Sequence, residues 1–397
     1  MFDLSLKFAR AGICAIALPA AIILLAAPAR AADNCAPAGQ WTVPGGGRIA
    51  AQEILARAAK ARVVLLGESH DDTDHHRWEL QTVAALAALR PKIVLGFEMF
   101  PRRVQGALER WVGGELGEDQ FLRESDWSRV WGFDAGYYLP LFHFARINRV
   151  PMLALNVERD LVRAVGANGF AAMPVDKREG VSPPAPARAS YVERLFDVYV
   201  QHPDKKDSAP KRTDAEFLRF VEAQLVWDRA MAQVLVDAAL RDPDVLAIGI
   251  MGSRHIAHGE GVVHQIESLG LKSIVSLLPW DAGDDCSKFT PDLASAVFGL
   301  PAVVHSSAPQ PERPRLGIHI RTAPDGVLIS AVEAGSIAES TGLRVDDVLV
   351  EVAGTSVKTA DEVKAFVGRM APGTWLPLKV KRKIELVELT AKFPTQK

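Results

Sequence analysis

The stretch RVVLLGESHDDTDHH, Arg62 to His76, opens as an unbroken apolar run and ends in four acidic residues and three histidines. A run without polar alternation reads as a strand buried on both faces, the mark of a parallel sheet covered by helices. The next segment, HRWELQTVAALAALR, has helical periodicity, and KIVLGFE (92–98) repeats the strand. Strand, helix and strand together imply a parallel pair joined by a right-handed crossover. Further strands are expected at PMLALN (151–156), VLAIGIMG (245–252) and SIVSLLP (273–279), with helical patterns such as EFLRFVEAQLVWDRAMAQVLVDAAL between them. The expected fold class is α/β, a largely parallel central sheet with helices on both faces.

Length and composition agree with this. At 397 residues, 48% hydrophobic and 24% charged, the chain is long enough for one large and one small core. A formal net charge of -2 and no basic stripe argue against nucleic acid as a partner. At the N-terminus, Lys7 and Arg10 precede an uncharged run, and Ala29-Arg30-Ala31 offers a cleavage site. This predicts a signal peptide over 1–31 and a periplasmic protein, with an N-terminal inner-membrane anchor as the alternative. Cleavage would remove Cys14 and leave Cys35 and Cys286, an even pair in an oxidising compartment. Within the first domain, expected over 32–304, VSPPAPARAS (181–190) and HPDKKDSAPKR (202–212) read as flexible surface loops.

A Pro-rich linker is expected at 305–314, and a second domain at 315–397. The second domain resembles a PDZ domain, with Arg315-Leu316-Gly317-Ile318 at the position of the carboxylate-binding loop and a final strand at LPLKVKR. The resemblance implies that a partner's C-terminal peptide adds as a strand beside a helix. Asp346 stands where bacterial members usually carry glycine, so a local turn is expected to change. A PDZ unit that only packs or makes a homodimer is the bland alternative. No G-x-S-x-G elbow stands near any serine, which sets a serine protease aside.

In open parallel sheets, ligands bind beyond the carboxyl ends of the strands. There the sequence places Glu68 and His70, Glu98, Asn156 with Arg159, and Arg254 with His255. Singly, each glutamate reads as a helix cap or as the partner of Arg159 or Arg254, and His75 and His76 as a solvated helix face. Jointly they read as a pocket.

Gly67-Glu68-Ser69-His70 with the later His75-His76, FEMF (97–100), WGFDAGYYLPL (131–141), ALNVER (154–159) and GSRHIAHGEGV (252–262) also resemble the ChaN-like haem-binding family of the Tiki superfamily. That resemblance implies haem as cofactor, with Tyr138 the preferred ligand and Tyr137, His75 or His76 as alternatives. Phe97, Met99, Phe100 and Trp131 would cover the porphyrin, and Asn156, Arg159 and Arg254 would bind around it. The wider superfamily implies a rival, a metal-dependent hydrolase in which Glu68, His70, Glu98 and His255 hold a divalent metal and perform catalysis. A third reading is a catalytically dead adaptor whose PDZ domain scaffolds an envelope complex.

Overall fold

The computed structural model describes residues 35–201, 210–302, 315–368 and 370–395. The expected signal peptide, the centre of the charged 202–212 loop and the linker lie outside them. The chain divides into two compact units, Met1–Val303 and Val304–Lys397.

The first unit is built on eight strands: β1 (Trp41–Val43), β2 (Gly47–Ile49), β3 (Val63–Glu68), β4 (Ile93–Pro101), β5 (Met152–Asn156), β6 (Leu246–Gly252), β7 (Ile274–Asp281) and β8 (Ala296–Leu300). They lie in the order β2-β1-β8-β7-β3-β6-β4-β5. All neighbours from β8 to β5 are parallel, while β1 runs antiparallel to both β2 and β8. The apolar run of β3 divides between two cores. Val64 and Leu66 pack on one face with Trp78, Leu108 and Phe142, and Val63 and Leu65 pack on the other with Met231, Leu235 and Ile266. Helices therefore cover both faces, which is why no position in the run tolerates a polar residue.

β1, β2 and β8 were not expected, because three-to-five-residue strands carry too little periodicity to be read. The expected 181–190 segment is irregular chain over 181–188, but it is fastened to its neighbours rather than a free excursion. Val181 is buried, Ser182 and Ala185 donate backbone N–H groups to Gln233 and Gln265, and a helix starts at Ala189. At the outer edge of β5, the Gln105 amide donates to the Met152 carbonyl at 3.0 Å and accepts from Ala154 N–H at 2.9 Å, occupying bonds a foreign strand would use.

The second unit has its own core, with Val327, Ile329, Leu349 and Val380 fully buried. Its strands are β9 (Ile318–Ala323), β10 (Gly326–Val332), β11 (Val348–Val352), β12 (Thr355–Ser356), β13 (Trp375–Arg382) and β14 (Glu385–Lys392). The main path is β14-β13-β11-β10-β9, so β9 is an edge. β13, read as the last strand, is followed by β14, whose Glu385, Glu388 and Lys392 hid its alternation. Asp346 has φ 69°, so it occupies the left-handed region that a glycine would take and the expected change of turn does not occur.

Candidate functional site

The strands of the parallel sheet deliver two imidazole–carboxylate clusters to their carboxyl edge. The first descends from β3 and the helix Thr73–Leu89. Asp72 caps this helix, accepting from Asp74 N–H at 2.8 Å and His75 N–H at 3.1 Å, which fixes the loop that carries His70. Glu68 is buried and has three polar neighbours, of which His76 Nε2 also bonds the His70 carbonyl at 3.2 Å. His70 Nδ1 lies 2.7 Å from Oε1, His76 Nε2 lies 3.2 Å from Oε2, and the Tyr138 hydroxyl donates at 3.2 Å. Trp131 Nε1–H in turn donates to the Tyr138 oxygen at 3.1 Å. His76 Nδ1 meets Glu79 at 3.0 Å. Burial and the adjacent Glu68 push Glu79 well above the ordinary carboxylate range.

The second cluster belongs to the other face. His255 Nδ1 lies 2.6 Å from Asp228 and its Nε2 3.4 Å from Glu98, while Glu98 Oε2 accepts from Gly252 N–H at 2.7 Å. Burial alone would lower the imidazole, but the two carboxylates outweigh it and His255 is pushed up to about 10. Burial would likewise raise Glu98, yet His255, His70 and the Gly252 amide hold it below the usual range. The pair is an imidazolium between two carboxylates, and neither ring nitrogen is free to ligate. Gly261, at φ 55°, lets the chain wrap this centre, because a Cβ there would stand 2.6 Å from the His255 carbonyl.

Between the clusters stands His70, whose side chain is 28% exposed. Its Nδ1 proton is committed to Glu68, and its Nε2 makes no hydrogen bond among the described residues. A Cβ on Gly252 would come within 3.4 Å of this Nε2, so glycine keeps the space beside it clear. His70 packs edge-on against Trp131 at 4.6 Å. Trp131 walls a cleft of about 510 Å³ together with Met99, Asn156, Arg159 and Trp227, and Arg129 and Arg163 also line it. Arg129 pairs with Asp126 and Arg163 with Asp160, whereas Arg159 has no ion-pair partner among the described residues.

Several expected roles move. Tyr138 is fully buried, and burial with the Glu68 charge pushes its phenol far above its ordinary value. Phe97 and Phe100 are core residues rather than a porphyrin cover. His75 accepts from Ser69 N–H on Nδ1 and faces Asp281 with Nε2, and His76 is enclosed, so neither is a solvated face. Asn156 donates to the Glu98 carbonyl and accepts from Val157 N–H, fastening β4 to β5 while lining the cleft. Tyr137 is half-buried and stacked on His76 at 5.7 Å, and Arg254 is exposed and does not line the cleft. The glutamates pair with histidines, not with Arg159 or Arg254.

The four residues Glu68, His70, Glu98 and His255 do not form a single metal-ligand set. Among the described residues, the one group of three or more whose ligand atoms lie within 4.8 Å is Asp72, His75 and Asp281. It does not suit a cation, since Nδ1 of His75 accepts a backbone N–H and Nε2 must then keep the proton a metal would displace. Asp228 was missed by sequence reasoning. Its signal was a lone carboxylate within the apolar LVWDRAMA.

In the second unit, Arg315, Leu316, Gly317, Ile318 and Ile320 line a groove of about 500 Å³ with Val363 and Val367 of the helix Ala360–Gly368. Gly317 has φ 77°, and a Cβ there would meet Ser336 Cβ at 2.3 Å, so the loop can be built only with glycine.

Comparison with known families agrees with both units. A family model described as haem-binding uptake, Tiki superfamily, ChaN matches residues 54–266, more than half of the chain, and a PDZ domain model matches residues 314–393. Similar solved structures include one described as cofacial heme binding to ChaN of Campylobacter jejuni, with 19% identity over 65% of this chain and 95% of that one, at a TM-score of 0.49. The serine endoprotease from Yersinia pestis has 20% identity over 21% of this chain and 30% of that one, at a TM-score of 0.19. No curated protein matches the chain in sequence.

Proposed function

We propose that this chain, which belongs to the ChaN family of haem-binding uptake proteins in the Tiki superfamily and carries a PDZ domain, binds haem in the cleft walled by Trp131, the ring against which His70 packs. The observation that supports this best is the free Nε2 of an imidazole whose other nitrogen is fixed by a buried carboxylate, the arrangement that readies a histidine for iron. Around it, Met99, Trp131 and Trp227 supply apolar surface, and Arg159, without an ion-pair partner among the described residues, supplies a cation for a propionate. Haem would bring the iron that His70 ligates. The hydrolase reading has less support, because His255 is locked as a cation and the four expected ligands stay in two clusters.

Hemin added to the purified protein is expected to give a saturable, red-shifted Soret band. His70→Ala should weaken binding about 100-fold, on the order of 3 kcal/mol. Tyr138→Phe should leave affinity nearly unchanged, and Tyr137→Phe should cost only a few-fold. An unshifted hemin spectrum in the wild-type protein would rule the haem site out, and loss of binding in Tyr138→Phe alone would return the ligand role to that tyrosine.

The PDZ groove is proposed to recruit an envelope protein through its C-terminus. Edge strand β9 offers unpaired backbone groups to an extended peptide, and the Arg315–Ile318 loop offers N–H groups to its carboxylate. Peptides ending in a free acid and an apolar residue should bind with micromolar Kd, about -8 kcal/mol. Equal affinity for amidated versions, measured by calorimetry on the full chain, would remove the carboxylate-receptor role. Export to the periplasm is proposed as well, supported by the Cys35–Cys286 disulfide, which an oxidising compartment maintains.

A further inference from the structure

The groove of the second unit holds an anion that receiving a terminal carboxylate does not use. Along β9, Ile318 and Ile320 pack toward the second core, while His319 between them is exposed. The neighbouring strand keeps the same alternation. Val332, the last residue of β10, pairs with Ile318 and packs with it, and Glu333 follows on the opposite side. Glu333 lines the groove, and its backbone N–H donates to the Gly317 carbonyl at 2.9 Å, so it stands beside the loop that would take the carboxylate. Among the described residues its side chain has one ion-pair neighbour, His319 Nε2 at 3.6 Å, and both side chains are more than half exposed. The cations of the groove are placed otherwise: Lys364, on the helix Ala360–Gly368, is paired with Asp361 at 3.0 Å, and Arg315 opens the carboxylate loop.

A peptide that joins β9 as a strand alternates in the same way. When its last side chain enters the groove with Ile318 and Ile320, the side chain before it points to the other side, where His319 and Glu333 stand. Resting on the carboxylate-receptor reading above, we propose that Glu333 is a specificity-determining residue that selects partners whose penultimate residue is lysine or arginine. Such a residue brings a full positive charge to a carboxylate that otherwise faces only an imidazole. An acidic residue at the same place meets Glu333 as a like charge. The partner this surface fits is therefore a C-terminus with a basic penultimate residue and an apolar last one.

The test is calorimetry of the full chain with short peptides identical except for lysine, glutamine or glutamate at the penultimate position, each as the free acid and as the amide. The free acids should bind in the order lysine, glutamine, glutamate, with about two- to fivefold between steps, the range of an exposed ion pair. The differences should shrink as salt is raised. Glu333→Gln should erase the order, and Glu333→Lys should reverse it, which a merely structural role for Glu333 would not produce. Equal binding of the three free acids by the wild type, or an order that survives Glu333→Gln, overturns the proposal while the carboxylate receptor stands. Amides that bind as well as free acids, or free acids that do not bind at all, overturn the receptor reading and this proposal with it.

Discussion

Replacing His255 with leucine is expected to destabilise the first unit by about 3 to 5 kcal/mol at neutral pH, the range for removing one partner of a buried ion pair. The imidazolium is the only cation bonded to both Asp228 and Glu98 among the described residues, at 2.6 and 3.4 Å, and both carboxylates are buried. Leucine of similar volume would preserve packing and leave two buried charges uncompensated. The pH dependence follows from the direction of the shift. Because the folded pKa of His255, about 10, lies above its ordinary value of 6.5, the folded state binds the proton more tightly. The stabilisation is therefore fully present below pH 6.5, declines as pH rises, and is lost above about 10. Denaturant melts at pH 7 and pH 10.5 should show a large wild-type advantage that shrinks at the higher pH. A variant within about 1 kcal/mol of the wild type at pH 7 would mean that the cluster is not an ion pair.

Reducing the Cys35–Cys286 disulfide should cost about 5 kcal/mol in the chain-entropy account, since the bond closes a loop across most of the first unit. The two cysteines have Cα atoms 5.7 Å apart and lie 251 residues apart in sequence. The bond fastens the start of the described chain where it joins the sheet edge. Gly39 N–H donates to the Gly299 carbonyl at 2.8 Å, and Gly299 admits no Cβ because the Pro37 carbonyl would stand 2.2 Å from it. Cys286→Ala should therefore lower the thermal midpoint and loosen β1, β2 and β8 first, visible as faster amide exchange there. The intact mass of protein recovered from the envelope checks both readings at once: loss of residues 1–31 reports export, and a mass two hydrogens below the reduced form reports the bond. Two free thiols in that material would refute the pairing.

Local pattern carried much of the architecture. The VVLL run of β3 reads as a strand covered on both faces, so the α/β class and the largely parallel sense of the central strands were legible without coordinates, while their order was not. The same run ending in Glu68 and His70 marked the site, because titratable residues at strand ends have few structural uses. The Arg315-Leu316-Gly317-Ile318 loop was legible through the resemblance to PDZ domains, and the left-handed conformation of Gly317 came only with the structure.

Three-dimensional packing decided the rest. No pattern within a few residues could show that Asp228, on the helix Ala215–Arg241, would reach His255 and fix it as a cation, or that Tyr138 would turn inward to Glu68 rather than outward to a ligand. Period two and period 3.6 report which face a side chain occupies, and they are silent on which distant element covers that face. The sequence by itself determined the class of fold, the strand ends that carry the chemistry and the second domain. Only the tertiary structure assigned the free nitrogen to His70, because that assignment depends on which protons and lone pairs are already used by neighbours far away in the chain.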